Sequence, residues 1–426
     1  MFTATIEFPA DFVFGSATAA HQVEGNNVHN DWWVHEQATG TNAIEPSGLA
    51  CDHYRRFADD FRLIQSLGQP AHRLSIEWSR IEPEEGQIQR AEIDHYRAVL
   101  ETLRGLEIEP WVTLHHFTSP VWFSRRGGFT RLENLPFFQR FAELVAKEYG
   151  DLVQRWCSIN EPTVVAEMGY RFGYFPPRLT DAALSADVLC NLFRAHAAVA
   201  AALRQHARLT PFVGITLAVQ AVEPYRPESA ADRELAARRD AETNGVSFET
   251  LRTGLFSYPG RPPVEISGLK TASDFVGIQY YSRMLYDAET GGPGLPDANR
   301  QLSQMAWEVY PEGLGPLLQR AAATGLPVYV TENGMACDDD RQRVRYIADH
   351  LAVVDQVRRA GADMRGYFYW SSMDNFEWNF GYGPKFGLIA IDRSTLTRAP
   401  RPSAYFFGEI ARAHRLTPEM VAQYTK

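Results

Sequence analysis

The sequence predicts an α/β protein, a single (β/α)8 TIM barrel over residues 1–426. Three observations carry that expectation. Short apolar, β-rich runs alternate with longer helical patterns from one end of the chain to the other. There are eight such alternations, with no repeat or low-complexity linker between them. The runs are also almost continuously apolar, which suits strands covered on both faces, as in a parallel sheet.

The strand candidates are 12–18, 71–78, 110–116, 153–160, 212–219, 274–281, 327–333 and 365–371. Helical stretches between them carry start and stop signals. The segment 52–68 has an apolar stripe and stops at Gly68; 134–150 starts at Asn134 as N-cap and stops at Gly150; 344–361 ends at Gly361 just before the eighth strand. The Gly/Pro-rich run 291–300 reads as a loop over the active-site face. Length alone would suggest two or three domains, but α/β barrels run well past ordinary domain size as one unit.

Composition narrows the class. With 45% hydrophobic and 22% charged residues the chain can bury a large core. A net charge of −10 argues against nucleic acid or an anionic membrane surface as partner. The N-terminal run lacks the basic and apolar regions of a secretory signal. No stretch approaches the roughly 18 uninterrupted apolar residues of a membrane span. Cys51, Cys157, Cys190 and Cys337 are scattered, which suggests free thiols and a cytoplasmic protein, with Cys157 as a packed core thiol. Aromatic residues make up 12% of the chain, with 9 Trp and 18 Tyr. Such rings cover the apolar faces of a pyranose, so position must decide whether they serve the core or a sugar.

In a barrel of this kind the chemistry sits at the C-terminal ends of the strands. Those ends read Glu77–Trp78, His115–His116, Asn160–Glu161 and Glu332–Asn333, and the eighth strand runs on into Asp374 and Glu377. No cluster has Cys/His metal-ligand spacing and no phosphate loop occurs, so neither metal nor cofactor is expected and a chelator should have no effect. His115 and His116 are adjacent, so on a strand one faces in and the other out. Glu161 and Glu332, at strands four and seven, could face each other across the mouth. Two carboxyl groups about 5–5.5 Å apart cleave a glycosidic bond with retention, one attacking and the other working as acid and then base.

The motifs resemble glycoside hydrolase family 1 over essentially the whole chain. FVFGSATAAHQVEG, SIEWSRIEPEEGQ, SINEP, FVGIQYYSR, WEVYPEGL, VYVTENGMACDDD and GYFYWSSMDNFEWNFGYGPKFGL follow in that family's order at compatible spacing. The resemblance implies a retaining β-glycosidase of β-glucosidase type, with Glu161 as acid/base and Glu332 as nucleophile. It further implies that Gln22, His116, Asn160, Glu377 and Trp378 bind the sugar's hydroxyls. Trp370 would be its platform, and Arg73 and Tyr281 would contact the nucleophile. The substrate would be a small β-glycoside or oligosaccharide; oligomeric state is left open.

The chain departs from the family pattern at four places. His21 stands where Tyr or another neutral residue is usual, Phe117 replaces a Trp, and Gln279 replaces an Asn. The region around 243–263 is short. The first two changes could loosen discrimination at the sugar's C3 and C4 positions, and the shortening could open the aglycone side. Relatives that hydrolyse phospho-sugars carry Ser where Glu377 stands, and Lys and Tyr where Pro384 and Phe386 stand. Glu377 would repel a phosphate, so 6-phosphoglycosides are not expected. Thioglucosidase relatives lose the acid that Glu161 supplies here. A carbohydrate-binding pseudoenzyme would lack one of the two carboxylates, and transfer to an alcohol in place of water would use the same intermediate.

Overall fold

The computed structural model describes residues 4–426. Eight parallel strands form a closed barrel: Val13–Ala17, Ala71–Ser75, Glu109–His115, Arg155–Asn160, Phe212–Pro224, Phe275–Asp287, Val328–Asn333 and Met364–Trp370. Each neighbour pairs with the next, the eighth with the first, and the fifth with the sixth. The fold is therefore the expected (β/α)8 barrel. The single domain expected over 1–426 is described from residue 4 onward.

The helices pack outside, as their apolar stripes require. His53–Ser66 ends in Gly68, whose φ of +82° a side chain would oppose. Ala182–His206 starts where the Asp181 carboxylate accepts from the N–H groups of Ala183 and Leu184, at 2.8 and 3.0 Å. That helix is 25 residues long and apolar enough to cross a membrane by length and composition, yet most of it is buried against the rest of the chain.

Three local readings need correction. The fifth and sixth strands run on to Pro224 and Asp287 as a paired extension above the barrel, beyond the ends expected at 219 and 281. Gly292–Pro293, read as loop, adds an antiparallel strand to that extension. Asn134 starts its helix without a side-chain cap: its own backbone is already helical, at φ −91° and ψ −18°, and its Nδ2 donates to the carbonyls of Arg126 and Gly128 at 3.1 and 2.9 Å.

The barrel's interior is layered, and the layers place the site. Trp111, Phe275, Tyr329 and Phe368 pack with Ala71 and Cys157 into an aromatic floor. Glycine is required beside it, since a Cβ on Gly15 would lie 2.6 Å from both the Phe368 ring and the Ala71 carbonyl. Directly above this floor the inward residues turn polar: Arg73, Asn160, Thr216, Gln279 and Glu332 are all buried there.

Candidate active site

Two irregularities in strand pairing aim the chemistry. In the fourth strand Cys157 joins the floor, and Asn160, three residues on, also faces inward. Strict alternation would have turned Asn160 out, but the register shifts between Cys157 and Asn160. The seventh strand repeats the device: Tyr329 lies in the floor, the register shifts between Val330 and Glu332, and Glu332 faces in. Asn333 consequently faces out, donating to the Tyr280 carbonyl and accepting from the Tyr367 hydroxyl at 2.6 and 2.7 Å. Glu161 follows its strand at φ +48°, a left-handed turn into the short helix Pro162–Ala166.

Above the polar layer opens a cavity of about 620 Å³. Gln22, His116, Asn160, Glu161, Tyr281, Glu332, Trp370, Glu377 and Trp378 all line it. Arg73 lies just beneath. Its Nη1 donates to Glu332 Oε1 at 2.5 Å, and its Nη2 to Asn160 Oδ1 at 2.5 Å. The Tyr281 hydroxyl donates to the other Glu332 oxygen at 2.7 Å. Both oxygens of Glu332 are thus held, one by a cation and one by a phenol. Asn160 Oδ1 also accepts from Gln279 Nε2 at 2.8 Å, which leaves the Asn160 N–H2 group as its free donor.

The two glutamates sit in opposite surroundings. The Glu161 carboxyl has no hydrogen-bond partner among the described residues. Burial, and then the charge of Glu332, push it well above the usual carboxylate range, with only Arg73 opposing. Burial raises Glu332 as well, but Arg73 and the Tyr281 hydroxyl act against it, so Glu332 is the member that ionises first. The surroundings thus favour the proton on Glu161 and the charge on Glu332, the division of roles that acid–base chemistry needs.

The remaining lining residues are fixed from behind. Burial and the Arg73 charge hold the His116 imidazole well below its ordinary range, so it is neutral. Its ring lies nearly parallel to the indoles of Trp370 and Trp378, with centroids 5.9 and 6.2 Å away. The Gln22 amide donates to Asn375 Oδ1 and the Phe376 carbonyl, at 3.0 and 2.8 Å. Five of the lining side chains keep a buried polar atom with no partner among the described residues: Gln22 Oε1, His116 Nδ1, Asn160 Nδ2, Gln279 Oε1 and Glu377 Oε2.

Glu377 is pushed up to about 8 by burial, and next by the Glu332 charge. An unfolded glutamic acid titrates near 4.3, so between the two values the folded chain holds a proton that the unfolded chain has lost. The stabilisation is complete below about 4.3 and gone once the pH passes about 8. Glu377→Gln should remove this dependence, raising thermal stability relative to wild type at pH 9 but not at pH 5. Melting curves at the two pH values test it; an unchanged difference between them would refute the buried-acid assignment.

Of the departures from the family pattern, His21 does not line the cavity. It lies behind Trp378, stacked on it at 5.8 Å, with Asn30 Nδ2 and Glu36 Oε2 at 3.0 and 3.3 Å from its two nitrogens. Phe117 does line the cavity and packs edge-on to Trp378. Several polar strand ends are structural. Glu77 caps the helix Trp78–Ile81 and accepts from Thr118, Trp78 packs on Phe141, and Asp374 pairs with Arg401 at 2.7 Å. His115 turns out against Phe129 and Phe138. Sequence reasoning missed the apolar outer lining, which includes Met168, Phe175, Val219 and Met284. It is drawn from a short helical turn, the following loop and the ends of two strands, which no single period joins.

A barrel mouth that sets two buried glutamates in unequal surroundings, walled by three indoles, is suited to glycosidic bonds, and comparison with known proteins agrees: the chain is an O-glycosyl hydrolase. It belongs to glycosyl hydrolase family 1, whose model matches residues 4–416. Beta-glucosidase A of Thermotoga maritima is 30% identical over 441 residues, covering 96% of this chain and 99% of that protein. A beta-glycosidase from Pyrococcus horikoshii superposes with a TM-score of 0.90 at 38% identity, over 99% of both chains. The Thermotoga maritima beta-glucosidase solved in complex with glucoimidazole superposes at 0.88, with 29% identity, over 96% of this chain and 99% of that one.

Proposed function

We propose that the chain removes terminal non-reducing β-D-glycosyl residues with retention, β-D-glucose first and β-D-galactose and β-D-fucose as companions. The observation that carries this reading is the unequal environment of the two glutamates. Glu332, held ionised by Arg73 and Tyr281, attacks the anomeric carbon. Glu161, held protonated by burial, gives its proton to the departing oxygen. In the second half it takes a proton from water, which attacks C1 and releases Glu332. Trp370 forms the sugar's platform. The unpaired atoms of Gln22, His116, Asn160 and Glu377 match the donors and acceptors that sugar hydroxyls offer.

The four cysteines are buried free thiols, which supports a reducing, cytoplasmic setting.

Glu161→Ala tests the assignment. On alkyl β-glucosides, whose leaving groups need protonation, its rate should fall by about 10²–10⁴-fold. On an activated aryl β-glucoside, whose leaving group departs unaided, azide attacking the glycosyl-enzyme should partly restore turnover and yield a β-glycosyl azide. The pH profile gives a second readout. Wild-type kcat/KM should fall on the alkaline side as Glu161 loses its proton, well above the ordinary carboxylate range, and on the acid side as Glu332 gains one. The alkaline limb should vanish in Glu161→Ala. Were it retained unchanged, the proton donor would have to be sought elsewhere.

A further inference from the structure

We infer that the outer part of the cavity takes an apolar aglycone, an alkyl or aryl group of several carbons, in preference to a second sugar; this rests on the glycosidase reading above. The inner end is where unpaired polar atoms gather. Outward from Glu161 the wall changes character. Val164, Met168, Phe175, Val219 and Met284 supply aliphatic, thioether and phenyl surface from the helical segment and turn after the fourth strand, the end of the fifth strand and the extension of the sixth.

Three of the polar side chains in that outer wall are committed to the protein. Arg283, its one charged group, donates to Glu308 and Glu223 at 2.6 and 2.8 Å and lies over the Tyr310 ring. Ser282 Oγ donates to the Glu308 carbonyl at 2.9 Å. The Asn379 amide donates to the Tyr174 carbonyl at 2.7 Å, and its oxygen is 3.0 Å from His35 Nε2. Uncommitted polar groups remain on Gln220 and Asn42, both at the exposed edge, and on the Trp307 indole and the Tyr174 hydroxyl. A second pyranose would bring hydroxyls to a wall with few groups left to meet them, and unmet hydroxyls cost binding.

The mouth continues the same surface. Ile44, Tyr174 and Phe380 line the cavity and are 72%, 52% and 51% exposed. They are not scattered: the Ile44 N–H donates to the Asn379 carbonyl, and Asn379 donates to Tyr174. An apolar collar running into a catalytic cavity is the kind of surface that marks a binding site. A flexible thioether such as Met168 or Met284 adapts to chains of different shape.

The test is a substrate series on the full chain: β-glucosyl fluoride, then ethyl, butyl, hexyl and octyl β-glucosides, and cellobiose. Along the alkyl series the leaving alcohols differ little in acidity, so any trend reports binding. We expect kcat/KM to rise by about two- to threefold per added methylene as far as hexyl, since a fully buried CH₂ is worth about fourfold and a wall open to solvent on one side gives less. Octyl β-glucoside should exceed cellobiose by tenfold or more, although the sugar hydroxyl is the better leaving group. In Met168→Gln and Val219→Gln that ratio should shrink at least fivefold. A flat alkyl series, or cellobiose equal to octyl β-glucoside, overturns the inference. Failure to turn over even glucosyl fluoride would instead overturn the glycosidase reading, so the two failures are distinguishable.

Discussion

Replacing Glu332 by glycine should lower kcat on an aryl β-glucoside by about 10⁴-fold or more, because no other group in the cavity stands where the covalent bond must form. The variant leaves a gap beside Arg73 and Tyr281, which previously held both carboxylate oxygens. A small anion fits that gap in size and charge. Azide or formate should therefore restore part of the rate, and with azide the product should be an α-glycosyl azide, formed by attack from the face Glu332 occupied. Glu161→Ala with azide should give the β anomer, so the stereochemistry of the two products assigns both roles at once. Arg73 is fully buried and would lose its counter-charge, so a lower melting temperature is also expected and must be measured beside the rate. A folded Glu332→Gly protein that keeps the wild-type rate would remove Glu332 from the mechanism.

Much of the barrel was legible because each strand is buried on both faces, so an apolar run is the direct image of its environment. Where that stops, so did the reading. Residues 220–224 and 282–287 leave the barrel for a half-exposed extension, and Gln220, Glu223, Ser282 and Arg283 broke the apolar run that would have marked them. Asn134 has a good capping side chain, but its own backbone is already helical and its Nδ2 is held by carbonyls of the preceding loop. At the site, spacing could name the strand ends and not which of two neighbours faces in. Glu332 and not Asn333 points inward because of a register shift, and such a shift has no signature in a run like VYVTEN. Family resemblance supplied what spacing lacked. It named Arg73, a residue that alternation alone leaves indistinguishable from a core cation. It was silent on Met168, Phe175 and Met284, since a wall assembled from a helical turn, a loop and a strand extension has neither period nor motif.

Arg73→Met should do damage of two separable kinds. The guanidinium bridges Glu332 and Asn160 from beneath, fully buried, and removing one partner of such a pair typically costs about 3–5 kcal/mol. Here the orphaned carboxylate has an escape, because it can take up a proton. Without Arg73, burial governs Glu332 and its pKa moves further up. At acid pH the neutral carboxyl then sits in place at limited cost. As the pH rises through its new, higher value, holding the charge unpaired grows expensive, so the variant's deficit in melting temperature should widen from pH 5 to pH 8. Activity should follow the same proton. The acid limb of the kcat/KM profile should shift upward toward the alkaline limb set by Glu161, narrowing the bell and lowering its peak, because the two carboxyls have lost the difference that divided their roles. Arg73→Lys separates charge from shape: it retains the cation but not the fork that reaches two acceptors, so it should recover part of the acid limb's position while leaving Asn160 held only by Gln279 and Thr216. If the acid limb stayed where wild type has it in both variants, Arg73 would be a packing residue, and the ionisation of Glu332 would need another cause.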